Sequence, residues 1–465
     1  MTPLDRLEYV KIAASKVPAQ TIAQFNLDQY IDSKGFIYFV CTRTVWGLPQ
    51  AGLISNKALV KVLHTAGYIQ SANSYGLFKH VDRGTTFSLV VDDFGIKYYN
   101  MNDFDHLADT LKTGGYDVKI NMKGDKYLGF TIKHDLIKKE MVLSMPKYVP
   151  KGLNRFCPDG PPRFAGSAIL YTPPKYGTTG EKFAFVDDSA PVSDDTKQWI
   201  QEVNGYFAYY AIALDCTMRF ACQQIATTTA SPTERTLDQA VRLLGYAAAH
   251  PNHELVFRPS DMELKFHCDG SHNSQKGAKG IAGGYFYLGD KHDPMALNGA
   301  IHVMCKTIPV VTASAGETEY ATLFMAGQEA SMLRSTLESL GYIQPPTIGI
   351  VDNAFAVGLC NDSIKAKLSK SIDLRFHWIR DRVRQGQFIV MWKKGLDNVA
   401  DFFTKAQPVH KHKEFENMFL RTPLLPTNNT LTKQTDRSTA WKRREPVLKL
   451  TPNARSHRTQ PTRKQ

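Results

Sequence analysis

The chain has 465 residues, 43% of them hydrophobic and 11% aromatic, which excludes a mainly disordered or collagen-like polymer and leaves room for about three domains. Its net charge of +13 points to a polyanionic partner, but ten Lys/Arg against two acids between Pro426 and Gln465 place +8 of that charge in the last forty residues. The seven cysteines form no C-x-x-C pair, which argues against a disulfide scaffold or zinc finger, and no signal or membrane-spanning stretch is legible, so an intracellular protein of cytoplasm or nucleus is expected, neither secreted nor membrane-bound.

In chain order, residues 1–145 alternate strands and helices. Phe36–Val40 is β-rich, Gly47-Leu48-Pro49-Gln50-Ala51-Gly52 is a turn, and Leu53–Ala66 is a helix. Phe87–Val91 and Ile96–Tyr99 flank Asp92-Asp93-Phe94-Gly95 and predict a hairpin. Residues 146–260 begin with a connector marked by Pro161, Pro162, Pro173, Pro174, Gly177 and Gly180, followed by two helical patterns, Ser193 to about Ala211 and Thr233 to about His250. Residues 261–410 read as an α/β unit: strands at Met262–Cys268, Gly284–Leu288 and Ala300–Cys305, a helix from Ala315 to Leu340, a strand at Thr347–Val351, a helix at Asp373–Arg384, a strand at Gln387–Trp392 and a helix at Asp397–Lys405. Residues 411–465 are assigned to a basic, disordered tail, without periodicity after Leu425.

Two carboxylate sets carry the chemistry. Asp92 and Asp93 end an apolar strand; they suit either a plain hairpin turn or a divalent-cation site for a triphosphate. The neighbouring Asp-Phe-Gly triplet is not a kinase motif, because no Gly-rich phosphate loop precedes it. In the α/β unit, Asp269 follows a strand, Glu317 and Glu319 open the long helix, Asp352 ends an apolar strand and Asp401 lies in the last helix. Such acids, if they converge, would hold two Mg2+ ions, with Mn2+ as the alternative, for phosphodiester hydrolysis. Ser314 and Glu317 fit a capping box, so Glu319, which has no such local task, is the preferred metal ligand of the two.

These segments resemble the reverse transcriptase and ribonuclease H region of copia-type retrotransposon polyproteins, over about Thr2 to Pro408. Gly47, Pro49, Gln50 and Gly52 lie in a segment similar to the family's L-P-Q-G motif, and Val90-Val91-Asp92-Asp93 resembles Y-V-D-D. Tyr127-Leu128-Gly129-Phe130 resembles the primer grip, and Leu143–Tyr148 the start of the thumb. Asn204–Tyr210 with Asp215-Cys216-Thr217-Met218 resembles the connecting helices. Ser314–Tyr320, Val351-Asp352-Asn353, Ile372–His377 and Asn398–Lys405 resemble S-S-T-E-A-E-Y, C-D-N, H-I-D-I-R-Y-H and N-L-A-D-I-F-T-K.

The resemblance implies α/β and α+β architecture: a truncated reverse transcriptase palm (1–145), a helical thumb and connection (146–260) and a ribonuclease H-like mixed α/β domain (261–410). It further implies Asp269, Glu319, Asp352 and Asp401 as ligands of two Mg2+ ions that cleave the RNA strand of an RNA–DNA hybrid, Asp92 and Asp93 as polymerase-type metal ligands, and Gly47, Pro49, Gln50, Gly52, Tyr127 and Gly129 as template and primer contacts. Two departures stand out. Val90 replaces the family's usual aromatic, and the strand bearing a first polymerase Asp would precede Thr2-Pro3-Leu4, so polymerase activity is expected to be lost. A catalytically dead nucleic-acid-binding relic and a piece of a longer active polyprotein remain the alternatives. His272, His377 and His410 are more readily packing or surface residues than catalysts, Trp378 and Trp392 are expected in the core, and Lys442-Arg443-Arg444 suits a solvated tail.

Overall fold

The computed structural model describes residues 2–45, 47–173, 187–293, 296–364 and 372–423. Pro174, Gly177 and Gly180 of the connector, and the basic segment with Lys442, Arg443 and Arg444, lie outside these residues. The chain divides into two compact units: Met1–Gly129 with Ser331–Gln344, and Phe130–Ala330 with Pro345–Gln465.

The first unit contains β1 (Pro3–Ala13), α1 (Ala19–Gln24), β2 (Phe36–Arg43), α2 (Ala51–Thr65), β3 (Tyr68–Gln70), β4 (Leu77–His80), β5 (Thr86–Val90), β6 (Asp93–Lys97), α3 (Met101–Thr113) and β7 (Lys126–Tyr127). β1 and β2 form an antiparallel ribbon, separate from the antiparallel meander β3-β4-β5-β6. Leu59 and Leu63 of α2 and Leu107 and Leu111 of α3, each pair one helical turn apart, cover the meander through Tyr68, Phe78, Phe87 and Leu89. Asn100 caps α3 by accepting the Asp103 amide at 2.9 Å.

In the second unit, β8 (Phe130–Asp135), β9 (Glu140–Ser144) and β10 (Glu254–Phe257) pair antiparallel. Between β9 and β10 lie α4 (Tyr148–Phe156), α5 (Asp194–Ala213), α6 (Arg219–Thr228) and α7 (Glu234–Ala249). Ser193 and Thr233 cap α5 and α7, the two helices whose periodicity is plain in the sequence. α4, with Pro150 and Gly152 inside it, and α6 escape that reading.

The remainder of this unit is a five-stranded mixed sheet built from β11 (Glu263–Gln275), β12 (Lys279–Gly289), β13 (Ala300–Val311), β14 (Thr347–Val351) and β15 (Phe388–Trp392), in the order β13-β12-β11-β14-β15. β11, β12 and β13 run antiparallel; β14 is parallel to β11, and β15 to β14. With them come α8 (Ala315–Ser339), whose residues from Ser331 on are counted with the first unit, α9 (Ala354–Cys360), α10 (Trp378–Arg384) and α11 (Val409–Phe419). This is the mixed α/β order expected for 261–410, with corrections in detail. Residues 397–405 form a 3₁₀ turn at Val399–Phe403, because Asn398 caps it locally through the Ala400 amide. Residues 411–419 are not tail: Phe415 and Phe419 of α11 stack against Phe402, Phe403 and Tyr285, and His412 and Glu416 are buried. All seven cysteines are unpaired, and no helix among the described residues is long and apolar enough to cross a membrane.

Candidate active site

The mixed sheet brings three of the four expected acids together. Asp269 lies inside β11 rather than after it, opposite Gly283 of β12, because the strand runs on to Gln275. Glu319 projects from the first turns of α8, and Asp352 immediately follows β14. One carboxylate oxygen from each of the three lies within 4.8 Å of the others. Asp269 and Glu319 are buried, at 1% and 7% exposure.

Small residues make this approach feasible. A Cβ on Gly270 would sit 2.6 Å from Thr322 Oγ1, so the glycine lets α8 lie against β11, and its N–H donates to Glu319 Oε2 at 3.2 Å. A Cβ on Gly283 would meet the Ala400 carbonyl at 2.9 Å, so this glycine admits the turn that carries Asp401. Asn398 fixes that turn from a buried position: its Nδ2 donates to the Cys268 carbonyl at 2.8 Å and its Oδ1 accepts the Ala400 amide.

Asp401 is outside the three-acid group but joined to it by a cation. Lys405 Nζ binds Asp401 Oδ1 and lies 3.8 Å from Asp269 Oδ2. Gln407 donates to the second Asp401 oxygen at 2.8 Å, and the Thr404 hydroxyl donates to Asp269 Oδ2. Burial pushes Asp269 up to about 6 and Glu319 up to about 9, with Asp269 and Asp352 repelling further charge on Glu319. Asp352 is raised by the same burial, against the pull of Lys405. Acids this close cannot all ionise in a buried site without a counter-charge. Hard oxygen donors converging on one point fit a divalent cation.

Glu317 has a different job. Its Oε2 accepts the Ala313 amide at 2.7 Å and its own N–H donates to Ser314 Oγ at 3.2 Å, closing the start of α8. His272 bonds the Thr318 hydroxyl at 2.8 Å, His377 bonds Tyr320, and His410 is exposed on α11. Trp378 packs edge-on against Phe324. Trp392 departs from the expected core position: it is 56% exposed, and its indole donates to the Asp352 carbonyl at 2.9 Å.

In the first unit, Asp92 and Asp93 lie exposed at the β5–β6 reversal, where Val90 pairs directly with Asp93. Among the described residues they join no three-ligand cluster. Tyr127 packs on the same hairpin: its hydroxyl bonds Ser88 at 2.9 Å, and a Cβ on Gly95 would come within 3.0 Å of its ring. Gly129 follows in a turn at φ 85°. Gly47, at φ 101°, Pro49 and Gln50 form the turn into α2, where Gln50 donates to Glu8 at 2.9 Å, and Gly52 lies in the first turn of the helix. Sequence reasoning missed a second cluster, His250, His253 and Glu416; its signal is the pair His250-x-x-His253 beside a helix end.

No family model matches the chain. It is 25% identical over 303 residues to the retrovirus-related Pol polyprotein of transposon TNT 1-94 from Nicotiana tabacum, covering 64% of this chain and 21% of that protein. It is 25% identical over 376 residues to that of transposon RE1 from Arabidopsis thaliana, covering 79% of this chain and 24% of that one. The chain thus spans roughly a fifth to a quarter of the length of these relatives. Among solved structures it is similar to an RNase H1 isolated from compost (16% identity, TM-score 0.24, 31% of this chain and 93% of that one). It is likewise similar to the N-terminal RNase H domain of a Mycobacterium tuberculosis protein (14%, TM-score 0.22, 31% and 91%).

Proposed function

We propose that this homologue of plant-transposon Pol polyproteins is a reverse transcriptase–ribonuclease H segment that hydrolyses the RNA strand of RNA–DNA hybrids. The observation that carries the reading is the convergence of Asp269, Glu319 and Asp352 from three separate elements into one cluster, in which Asp269 and Glu319 are buried and Asp352 is half-buried. Asp269, Glu319, Asp352 and Asp401 are assigned as the residues that hold two Mg2+ ions. Bound there, such ions supply an activated water and charge stabilisation at the leaving oxygen.

The chain's own residues set the conditions for that chemistry. Gly270 N–H and Thr404 Oγ1 fix the orientations of Glu319 and Asp269, and Gln407 fixes Asp401. Lys405 neutralises Asp269 and Asp401 in the metal-free protein and must give up those contacts when a cation is taken up. Asp92 and Asp93 are read as polymerase-type metal ligands; among the described residues no third carboxylate joins them.

The test is cleavage of a labelled RNA–DNA hybrid by the purified chain with Mg2+. Cleavage that depends on Asp269 supports the reading. Absence of cleavage, or cleavage unchanged in Asp269→Asn, refutes it, and hybrid binding without turnover would favour a catalytically dead relic.

A further inference from the structure

The second unit encloses another set of ionisable groups, to which the acid site assigns no role. Asp215 precedes α6, His250 ends α7, His253 precedes β10, and Glu416 lies on α11. Asp215, His253 and Glu416 are essentially fully buried. Burial of two carboxylates demands compensation by partners or by a metal.

The two imidazoles are held in one orientation by different acceptors. His253 Nδ1 lies 2.7 Å from Asp215 Oδ2, and His250 Nδ1 lies 3.0 Å from the Tyr246 carbonyl. Neither acceptor can donate, so each ring carries its proton on Nδ1 and, when neutral, presents an Nε2 lone pair. Both Nε2 atoms face the same carboxylate: His253 Nε2 is 3.4 Å from Glu416 Oε1 and His250 Nε2 is 3.5 Å from Oε2. His253 Nε2, although buried, makes no hydrogen bond. The ligand atoms of all three residues lie within 4.8 Å of one another.

We propose that His250 Nε2, His253 Nε2 and Glu416 bind a Zn2+ ion, which ties the α7–β10 connection to α11. Tetrahedral zinc with bonds of about 2.0 Å separates its donors by about 3.3 Å, and the observed separations, 3.4 Å from His253 to Oε1 and 3.5 Å from His250 to Oε2, are of that size although each ring faces its own oxygen. Two imidazoles and one carboxylate favour zinc over the hard ions suited to the acid cluster. Asp215 on His253 and the Tyr246 carbonyl on His250 are the outer partners that metal-bound histidines ordinarily have. Lys413 and Thr422 also reach Glu416 Oε1, but Lys413 is half-exposed and can withdraw to solvent. Metal-free, the same groups would instead hold a protonated His253 between two carboxylates.

The test uses the untagged full chain, stripped of metal and titrated with Zn2+ against a chromophoric chelator. One tight zinc is expected, weakened at least tenfold in His250→Ala and Glu416→Gln and changed less than twofold in Asp269→Asn, which leaves this cluster intact. Zinc uptake by the wild-type chain no tighter than by folded Glu416→Gln overturns the site. Should those variants fail to fold, X-ray absorption of the zinc-loaded wild-type chain decides. Two imidazole nitrogens at about 2.0 Å support the site, and a shell of oxygens alone overturns it.

Discussion

Val90-Val91-Asp92-Asp93 and Ile350-Val351-Asp352 are written alike, apolar residues running into aspartate, yet the two acid sites are built differently. At the first, the chain reverses at once through Val91 and Asp92, and both acids lie in solvent at the β5–β6 edge of the four-stranded meander. At the second, Asn353 caps α9 by accepting two amides, which carries the chain away and leaves Asp352 facing acids from β11 and α8. The local motif supplies a carboxylate in both cases. The distant elements, Gly270 beside α8 and Asn398 behind the Asp401 turn, decide whether that carboxylate belongs to a site.

The largest effect should separate the two regions outright. Asp269→Asn is expected to lower hybrid cleavage about 100-fold or more, since it removes a charged ligand at the centre of the cluster. The double variant Asp92→Asn/Asp93→Asn should leave cleavage within about twofold and stability within about 0.5 kcal/mol, as exposed turn residues do. Equal losses in both, measured on the same labelled hybrid, would break the comparison.

The next contrast lies within α8. Glu319→Gln should abolish most cleavage, whereas Glu317→Gln should cost about 1 kcal/mol through the weakened helix start and leave turnover largely intact. Glu319 also carries a pH dependence. Glu319, raised from 4.5 to about 9, holds in the folded metal-free protein a proton that the unfolded chain releases. Folding therefore binds protons in this range, and metal-free stability should fall as pH rises from about 4.5 towards 9. Asp269 adds to the same slope between 3.8 and about 6. Thermal unfolding should show a shallower decline in Glu319→Gln, and Mg2+ should restore wild-type stability at alkaline pH. A wild-type chain that gains stability with pH over this window would contradict the assignment.

Much of the second unit was legible in its sequence. The alternation of Met262–Cys268 and the stripe of α8 mark a strand and a helix, and Ser193 and Thr233 announce α5 and α7 as caps. The acids were legible as types at strand ends, and the cap at Ser314 separated Glu317 from Glu319. What stayed hidden depends on contacts remote in sequence. Asp269 reads as a strand end because Gly270 and Ser271 interrupt the apolar pattern, yet pairing with β12 carries β11 on to Gln275. Helix α11 reads as polar tail because six of its eleven residues are Lys, Glu or His, yet Phe415 and Phe419 fill a place that only the folded sheet creates. The same holds for Glu416, whose partners His250 and His253 lie some 160 residues earlier.

The smallest effect concerns the exposed hairpin itself. Val91 adopts φ 61° although it is β-branched and 73% exposed. A β-branched side chain in the left-handed region crowds its own backbone, and no packing at this surface position compensates. Val91→Asn should therefore stabilise the first unit by about 1 kcal/mol, because asparagine tolerates this conformation and turn-forming contacts favour it. The β5–β6 register should survive, since Val90 and Asp93 remain paired on either side. Urea unfolding followed by a probe in the first unit would reveal the gain. A loss instead would mean that the valine holds the turn by contacts of its own, and the contrast between an unsupported acid pair and a built acid cluster would narrow accordingly.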